Sequence, residues 1–161
     1  MLNDNPSMGT GTVTIKDDPR ILPFGKILRR AKINELPQLI NVLKGEMSII
    51  GPRPQDQRCF DVFRKEDKAE ILKVRPGLSG IGAIYFRDEE NLLHKAQGDM
   101  MSFYDTVISP YKGRLEAWWV KNQSLKNYFL LIILTVRVIL FPKTRLLFQL
   151  RKDLPPPPQE L

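Results

Sequence analysis

The chain has one cysteine, Cys59, and one histidine, His94, in 161 residues. A single thiol makes no intramolecular disulfide and no multi-thiolate metal cluster, and it fits a reducing compartment. His94 has no evident metal or triad partner along the sequence. Residues 1–14 lack a basic stretch followed by an apolar one, so they do not read as a secretory signal. No internal repeat is visible. A long apolar run is missing as well: the best candidate, Tyr128 to Phe141, holds 14 residues and carries Arg137 inside it. As a helix it spans about 21 Å, against about 30 Å of bilayer hydrocarbon. It is too short to cross comfortably.

What is present describes one folded domain. A length of 161 residues suits a single domain able to bury a core, and 42% hydrophobic with 27% charged residues is ordinary globular usage. Wholesale disorder and a polytopic membrane protein are both disfavoured. Lys plus Arg number 25 and Asp plus Glu 18, so the net charge of +7 favours an anionic partner such as a phosphate, a nucleic acid or a lipid headgroup surface. The charge is spread along the chain and forms no basic stripe with interleaved aromatics, so no nucleic-acid partner is expected.

The pattern of apolar residues predicts an α+β fold: a helix-rich single domain with short strands and membrane-surface-associated amphipathic helices. Residues 1–12 form a polar arm, 13–141 the domain, and 142–161 a basic, Pro-rich tail. Val13 and Ile15 suit a short edge strand, and Phe24, Ile27 and Leu28 a short helix ending near Lys32. Asn34 is an N-cap type, Pro37 is tolerated in a first turn, and Leu36, Leu39, Ile40 and Leu43 follow helical spacing up to Gly45 as the closing residue. In Gly51-Pro52-Arg53-Pro54, two prolines fix the backbone on either side of one arginine.

Residues 56–73 read as one charged amphipathic helix, ended by Arg75-Pro76-Gly77 with Pro-Gly at the centre of a type II turn. Gly80 and Gly82 keep the next stretch close to other backbone, and Asp88-Glu89-Glu90 reads as solvated. A further helix from Tyr111 to Leu125 carries Trp118 and Trp119 into the apolar stretch. Two readings of that stretch stand side by side: a helix on an anionic membrane surface, with Lys143, Arg145, Arg151 and Lys152 beyond it, or a buried C-terminal core helix. Pro155 to Pro158 read as a polyproline II tail with nothing to pack.

Chemistry points to two places. A helix starting at Asn34-Glu35 offers unpaired amides and a partial positive charge to an anion, and Arg53 offers a planar fork to phosphate oxygens. Arg29 and Arg30 lie just upstream, and Glu35 amid that charge can hold Mg²⁺ together with phosphate oxygens. Each feature has a plain structural reading too. Asn34 serves as an N-cap, Glu35 as a first-turn acid and Arg53 as a surface arginine. Cys59 beside Phe60 reads as a small buried hydrophobe, and the tryptophan pair as core or membrane interface.

Taken together these residues resemble a known family. Asp18-Pro19-Arg20, Phe24-Gly25, Leu28-Arg29, the run Asn34-Glu35-Leu36-Pro37-Gln38-Leu39-Ile40-Asn41-Val42-Leu43-Lys44-Gly45-Glu46-Met47-Ser48 and Gly51-Pro52-Arg53-Pro54 closely resemble the bacterial sugar transferases. These are monotopic polyprenyl-phosphate phosphoglycosyl transferases that start capsule, exopolysaccharide and lipopolysaccharide repeat units. Arg75-Pro76-Gly77-Leu78-Ser79-Gly80 is similar to the family's second signature, and Trp119-Val120-Lys121-Asn122 with Ser124 and Thr135 to its C-terminal segment. The resemblance covers roughly residues 12–140.

The resemblance implies transfer of a sugar-1-phosphate from a UDP-sugar to undecaprenyl phosphate, with Mg²⁺ and release of UMP, at the cytoplasmic face of the bacterial inner membrane. It implies catalytic positions at Asn34 and Glu35, the metal at Glu35, and phosphate or substrate contacts at Arg29, Arg53 and Arg75. The chain departs from the family pattern at the first of these. Asn34 stands where the family carries a nucleophilic aspartate, and a carboxamide is a very poor nucleophile. Glu35, as metal ligand or base toward the lipid phosphate, suits direct displacement instead. The family's N-terminal re-entrant membrane helix and basic segment have no counterpart here, which reads as a truncated transferase, a half working with a separate upstream polypeptide, or a fragment. Ile81 and Tyr128 replace a common tryptophan and a common acid. The rival expectation is a catalytically silent, membrane-associated relative that binds a nucleotide sugar or a partner enzyme.

Overall fold

A computed structural model of the chain describes residues 37–95, 99–141 and 153–161, together with Gly25, which is helical. The expected strand at Val13 and Ile15, the rest of the helix after Phe24, and Arg29, Arg30, Asn34 and Glu35 lie outside the described residues. In chain order the elements are α1 (Gln38–Leu43), β1 (Ser48–Ile50), α2 (Gln57–Asp61), α3 (Lys65–Ile71), β2 (Gly77–Ser79), α4 (Ile81–Tyr85), α5 (Glu89–Lys95), α6 (Met100–Phe103), a π-helical turn (Tyr104–Ile108), α7 (Ser109–Lys121) and α8 (Leu125–Leu140). The architecture is a helix-rich α+β domain with a small sheet.

α1 ends as its sequence dictates. Gly45 takes φ +77°, a left-handed conformation that costs glycine little, and the Glu46 and Met47 amides both donate back to the Asn41 carbonyl at 2.9 and 3.2 Å. The chain then enters β1, which pairs in parallel with β2, Ser48 opposite Gly77 and Ile50 opposite Ser79. Parallel strands need a crossover, and α2 and α3 supply it.

That crossover corrects the expectation of one helix over residues 56–73. α2 is capped by Asp56, whose side chain accepts from the Arg58 amide at 3.0 Å, and it stops at Asp61. α3 starts after Arg64, which is extended at ψ 148°. The break turns Phe63 into the core, where its ring lies against Gly113. A straight helix cannot send Phe63 inward and keep the charged face of α3 in water. The Pro76-Gly77 turn is corrected as well: among the described glycines only Gly45 has a positive φ, so Gly77 does not occupy the type II position. It is the first residue of β2.

The core gathers on α7, whose Tyr111, Leu115 and Trp119 are fully buried. The π-helical turn joins α6 to α7 without a break in the chain path and buries Tyr104 and Ile108. Cys59 is buried, as expected, and its carbonyl accepts from Ser109 Oγ at 3.2 Å. The expected helix from Tyr111 into the apolar stretch is instead two helices. Asn122 ends α7, and Ser124 caps α8 by accepting from the Asn127 amide at 3.2 Å.

α8 packs one face into the core, as the core-helix reading expects, and leaves its other face exposed. Leu131, Leu134 and Val138 face the core, at i, i+3 and i+7, while Phe129, Ile133, Val136 and Leu140, at i, i+4, i+7 and i+11, are exposed. No helix among the described residues is long and apolar enough to cross a membrane. The tail departs from expectation. Leu154 is buried in the main core and Leu161 packs against it. Tyr111 Oη donates to the Pro155 carbonyl at 2.9 Å, so the tail is held to the domain at Leu154 and Pro155 while Pro156 and Pro157 stay exposed.

Candidate functional site

The site begins where two glycine-containing loops interlock. The Gly51 amide donates to the Ser79 carbonyl at 2.9 Å, and the Gly77 amide to the Pro52 carbonyl at 2.8 Å. These bonds bring the backbones so close that a Cβ on Gly77 would collide with the Gly51 amide nitrogen, and one on Gly80 with the Gly51 carbonyl oxygen. The signatures Gly51-Pro52-Arg53-Pro54 and Arg75-Pro76-Gly77-Leu78-Ser79-Gly80 are therefore two halves of one structure. Ser79 Oγ lies 2.9 Å from Thr135 Oγ1, which ties α8 to the same loops.

Arg53 leaves this junction half-buried. Proline has no amide hydrogen, so in Pro52-Arg53-Pro54 only Arg53 has a backbone donor. That donor faces Glu116 of α7, as does the Gly82 amide. The Glu116 carboxylate is fully buried. Its Oε1 occupies the space a Cβ on Gly82 would need, and its Oε2 would lie 3.4 Å from a Cβ on Gly80.

The two amides approach Glu116 closely enough to pull it toward its charged form, yet neither carboxylate oxygen closes a full hydrogen bond. Burial dominates and pushes the Glu116 carboxyl up to about 8, against the opposing pull of those amides and of the Lys112 and Arg53 charges. Lys112, four residues earlier, is committed elsewhere: its Nζ bonds Glu89 Oε2 at 2.7 Å and lies over the Phe86 and Tyr104 rings at 5.4 and 5.6 Å. Glu89, expected to be solvated, is half of this ion pair.

Arg75 is placed differently. Its backbone carbonyl lies against Gly51, but its guanidinium reaches the end of α1, where a Cβ on Gly45 would be 3.6 Å from a terminal nitrogen. There it meets the negative end of the α1 dipole. The structure thus brings the Arg53 and Arg75 loops together, with the Arg75 side chain at the end of α1. Arg29, Asn34 and Glu35 lie outside the described residues. Among those described, no group of three or more His, Cys, Asp or Glu side chains gathers as a metal cage. Such a cage is not what Mg²⁺ requires, since it binds through one or two carboxylates plus substrate phosphates.

Sequence reasoning missed Glu116. Lys112 and Glu116 at i and i+4 have the spacing of an ordinary surface ion pair, and only the packing of α4 against α7 reveals that the carboxylate points inward. The one available signal was Gly82, whose missing side chain makes the room.

Comparison with known proteins supplies a context for this geometry. A family model described as bacterial sugar transferase matches residues 1–142. The undecaprenyl-phosphate galactose phosphotransferase of Salmonella typhimurium is 33% identical over 131 residues, which cover 78% of this chain and 23% of that protein. A UDP-N-acetylgalactosamine-undecaprenyl-phosphate N-acetylgalactosaminephosphotransferase from Aeromonas hydrophila is 36% identical over 128 residues, 76% of this chain and 26% of that protein. The exopolysaccharide production protein ExoY of Sinorhizobium fredii is 42% identical over 79 residues, 48% of this chain and 34% of that protein. The matched stretch is therefore about a quarter to a third of the length of these relatives.

Proposed function

Because the chain belongs to the bacterial sugar transferase family, we propose that it transfers a sugar-1-phosphate from a UDP-sugar to undecaprenyl phosphate, initiating a polysaccharide repeat unit. The observation that carries this reading is the interlock of the Gly51–Pro54 and Arg75–Gly80 loops, which holds an arginine fork on a backbone that cannot move independently. A fixed guanidinium suits a diphosphate, because bidentate contacts reward orientation as well as charge.

In this reading Arg53 grips the nucleotide-sugar diphosphate, and Arg29 and Arg75 extend the basic surround. Glu35 is the proposed Mg²⁺ ligand, together with substrate phosphate oxygens, or the base toward the lipid phosphate. The bound ion would neutralise charge on the phosphate oxygens. With Asn34 at the family's nucleophile position, an oxygen of undecaprenyl phosphate attacks the sugar-bearing phosphorus directly. The bond from that phosphorus to the bridging oxygen breaks, and the oxygen leaves with UMP.

The exposed apolar stripe of α8, with Leu39, Ile40 and Leu43 of α1 also exposed, supports an interfacial position on a membrane. We place that position at the cytoplasmic face, where UDP-sugars are found, and an upstream polypeptide is a further proposed partner. Asn34 favours one rival, a catalytically silent relative that binds nucleotide sugar or a partner enzyme.

UMP release from a panel of UDP-sugars, with Mg²⁺ and undecaprenyl phosphate in nanodiscs, separates the two. Turnover by the native chain that is lost in Glu35→Gln supports direct displacement. Turnover by Asn34→Asp alone establishes the silent relative.

A further inference from the structure

We propose that Ser79 and Thr135 form a positioning pair that fixes the height of the Arg53 loop above the exposed stripe of α8, so that a phosphate carried on a membrane lipid arrives level with the phosphorus the loop holds. The proposal rests on the reading of Arg53 as the diphosphate-gripping residue and of α8 as an interfacial helix.

Ser79 is bonded on two sides. Its carbonyl accepts at 2.9 Å from the amide of Gly51, two residues before Arg53, and its hydroxyl lies 2.9 Å from Thr135 Oγ1 in α8. Thr135 has one hydroxyl hydrogen, which it donates to the Leu131 carbonyl at 2.8 Å, so Ser79 is the donor between the two side chains. A single residue of β2 thus joins α8 to the Arg53 loop.

Apolar packing alone would hold α8 without fixing it. Leu131, Leu134 and Val138 face the core, and α8 lies against β1 and α4, but such contacts are non-directional and tolerate sliding and rolling. A hydrogen bond has a set length and direction. Thr135 is the only polar residue from Phe129 to Val136, and valine would fill the same space. The hydroxyl therefore adds register and not burial.

That register matters because of where the stripe lies. Phe129, Ile133, Val136 and Leu140 are exposed, and they stand roughly 100–160° round the axis from Thr135 at 3.6 residues per turn. The tie and the stripe are therefore on well-separated sides of a helix about 10–12 Å across. A helix in the interface buries its apolar face about 5–10 Å into the boundary between headgroups and acyl chains. Ser79 and the loop behind it then stand at the level of the headgroup phosphates. A UDP-sugar reaches the loop from water at any height, whereas the phosphate of undecaprenyl phosphate is held at one, so only the lipid substrate reads this distance.

The test reads kcat/KM for undecaprenyl phosphate in nanodiscs, beside UDP affinity by calorimetry and binding of the chain to nanodiscs, with thermal melting as a check on folding. Thr135→Val keeps the shape and deletes the acceptor. It is expected to lower kcat/KM tenfold or more and to leave UDP affinity and nanodisc binding within twofold of the native chain. Thr135→Ser keeps the hydroxyl and is expected to stay within threefold on every readout. In the Ser79→Ala background, where the donor is already gone, Thr135→Val is expected to change kcat/KM less than twofold, and a further tenfold loss there overturns the proposal. Native kcat/KM in Thr135→Val overturns it too, while leaving the proposed function standing. A loss of UDP affinity or of nanodisc binding as large as the loss of kcat/KM would show that Thr135 supports the fold at large, and also overturn it. If Thr135→Val does not fold, Ser79→Ala takes its place under the same expectations. If neither folds, the pair holds the fold itself and the proposal fails. A native chain that binds nanodiscs and shows no turnover overturns the proposed transfer reaction, and this proposal with it.

Discussion

Replacing Glu116 with glutamine separates the charge of this side chain from its shape, and the consequence is a pH dependence of stability with a definite sign. The carboxyl titrates at about 8 in the folded chain because burial disfavours its charged form, against an ordinary value of 4.5 when unfolded. Between those two pH values the folded state holds a proton that the unfolded state has released. Stability therefore falls as pH rises, by about 1.4 kcal/mol per unit. The penalty is absent below the unfolded value, grows through neutrality and levels off above the folded one, at a total on the order of 5 kcal/mol.

Glutamine resembles the neutral acid and removes this slope. Urea unfolding of the native chain and Glu116→Gln from pH 5 to pH 9 checks it, because every other titrating group is common to both proteins and cancels in the difference. Near parity is expected at pH 5, with the variant progressively more stable up to pH 8 and a constant gap beyond. A gap that does not change with pH would refute the reasoning. It would mean that water or a rearranged Arg53 solvates the carboxylate.

Three further predictions concern the surroundings of the site. Gly77→Ala places a methyl group on the Gly51 amide nitrogen, with backbone on both sides and no flexible side chain to yield. A loss of about 3 kcal/mol in chemical unfolding is expected, together with loss of any UDP binding. Ile133→Ser, on the exposed face of α8, should leave the melting temperature unchanged and weaken partitioning onto anionic vesicles about tenfold, by ~1.4 kcal/mol. Unchanged partitioning would remove α8 from the membrane contact. Tyr111→Phe deletes the donor to the Pro155 carbonyl and should cost about 1 kcal/mol. Proteolysis should then cut the tail earlier than in the native chain.

How much of this was legible in the sequence depends on whether a feature is local. Gly45 closes α1 because left-handed backbone is a property of one residue; the caps at Asp56 and Ser124 went unread because the helix breaks they follow were not foreseen. The loop glycines were recognisable as points of close approach, but what they approach was not. The break at Phe63 follows from Gly113, fifty residues later, and Glu116 turns inward because of Gly82 in another helix. Such facts belong to pairs of distant residues. The tail was misread for the same reason. Four consecutive prolines carry few donors, but Leu154 beside them needed only an apolar surface and the Pro155 carbonyl only a tyrosine. The apolar stretch divided two readings because period alone cannot say whether a stripe meets protein or lipid, and α8 presents one stripe to the core and leaves another exposed.

The central claim is that phosphorus moves with the sugar, and a UDP-sugar labelled with ³²P at the sugar-bearing phosphate tests it most directly. Incubated with the chain, Mg²⁺ and undecaprenyl phosphate in nanodiscs, the label is predicted to enter the lipid fraction while unlabelled UMP appears in water. Transfer of the sugar with the label left on UDP would contradict the account, as would label that stays on intact UDP-sugar.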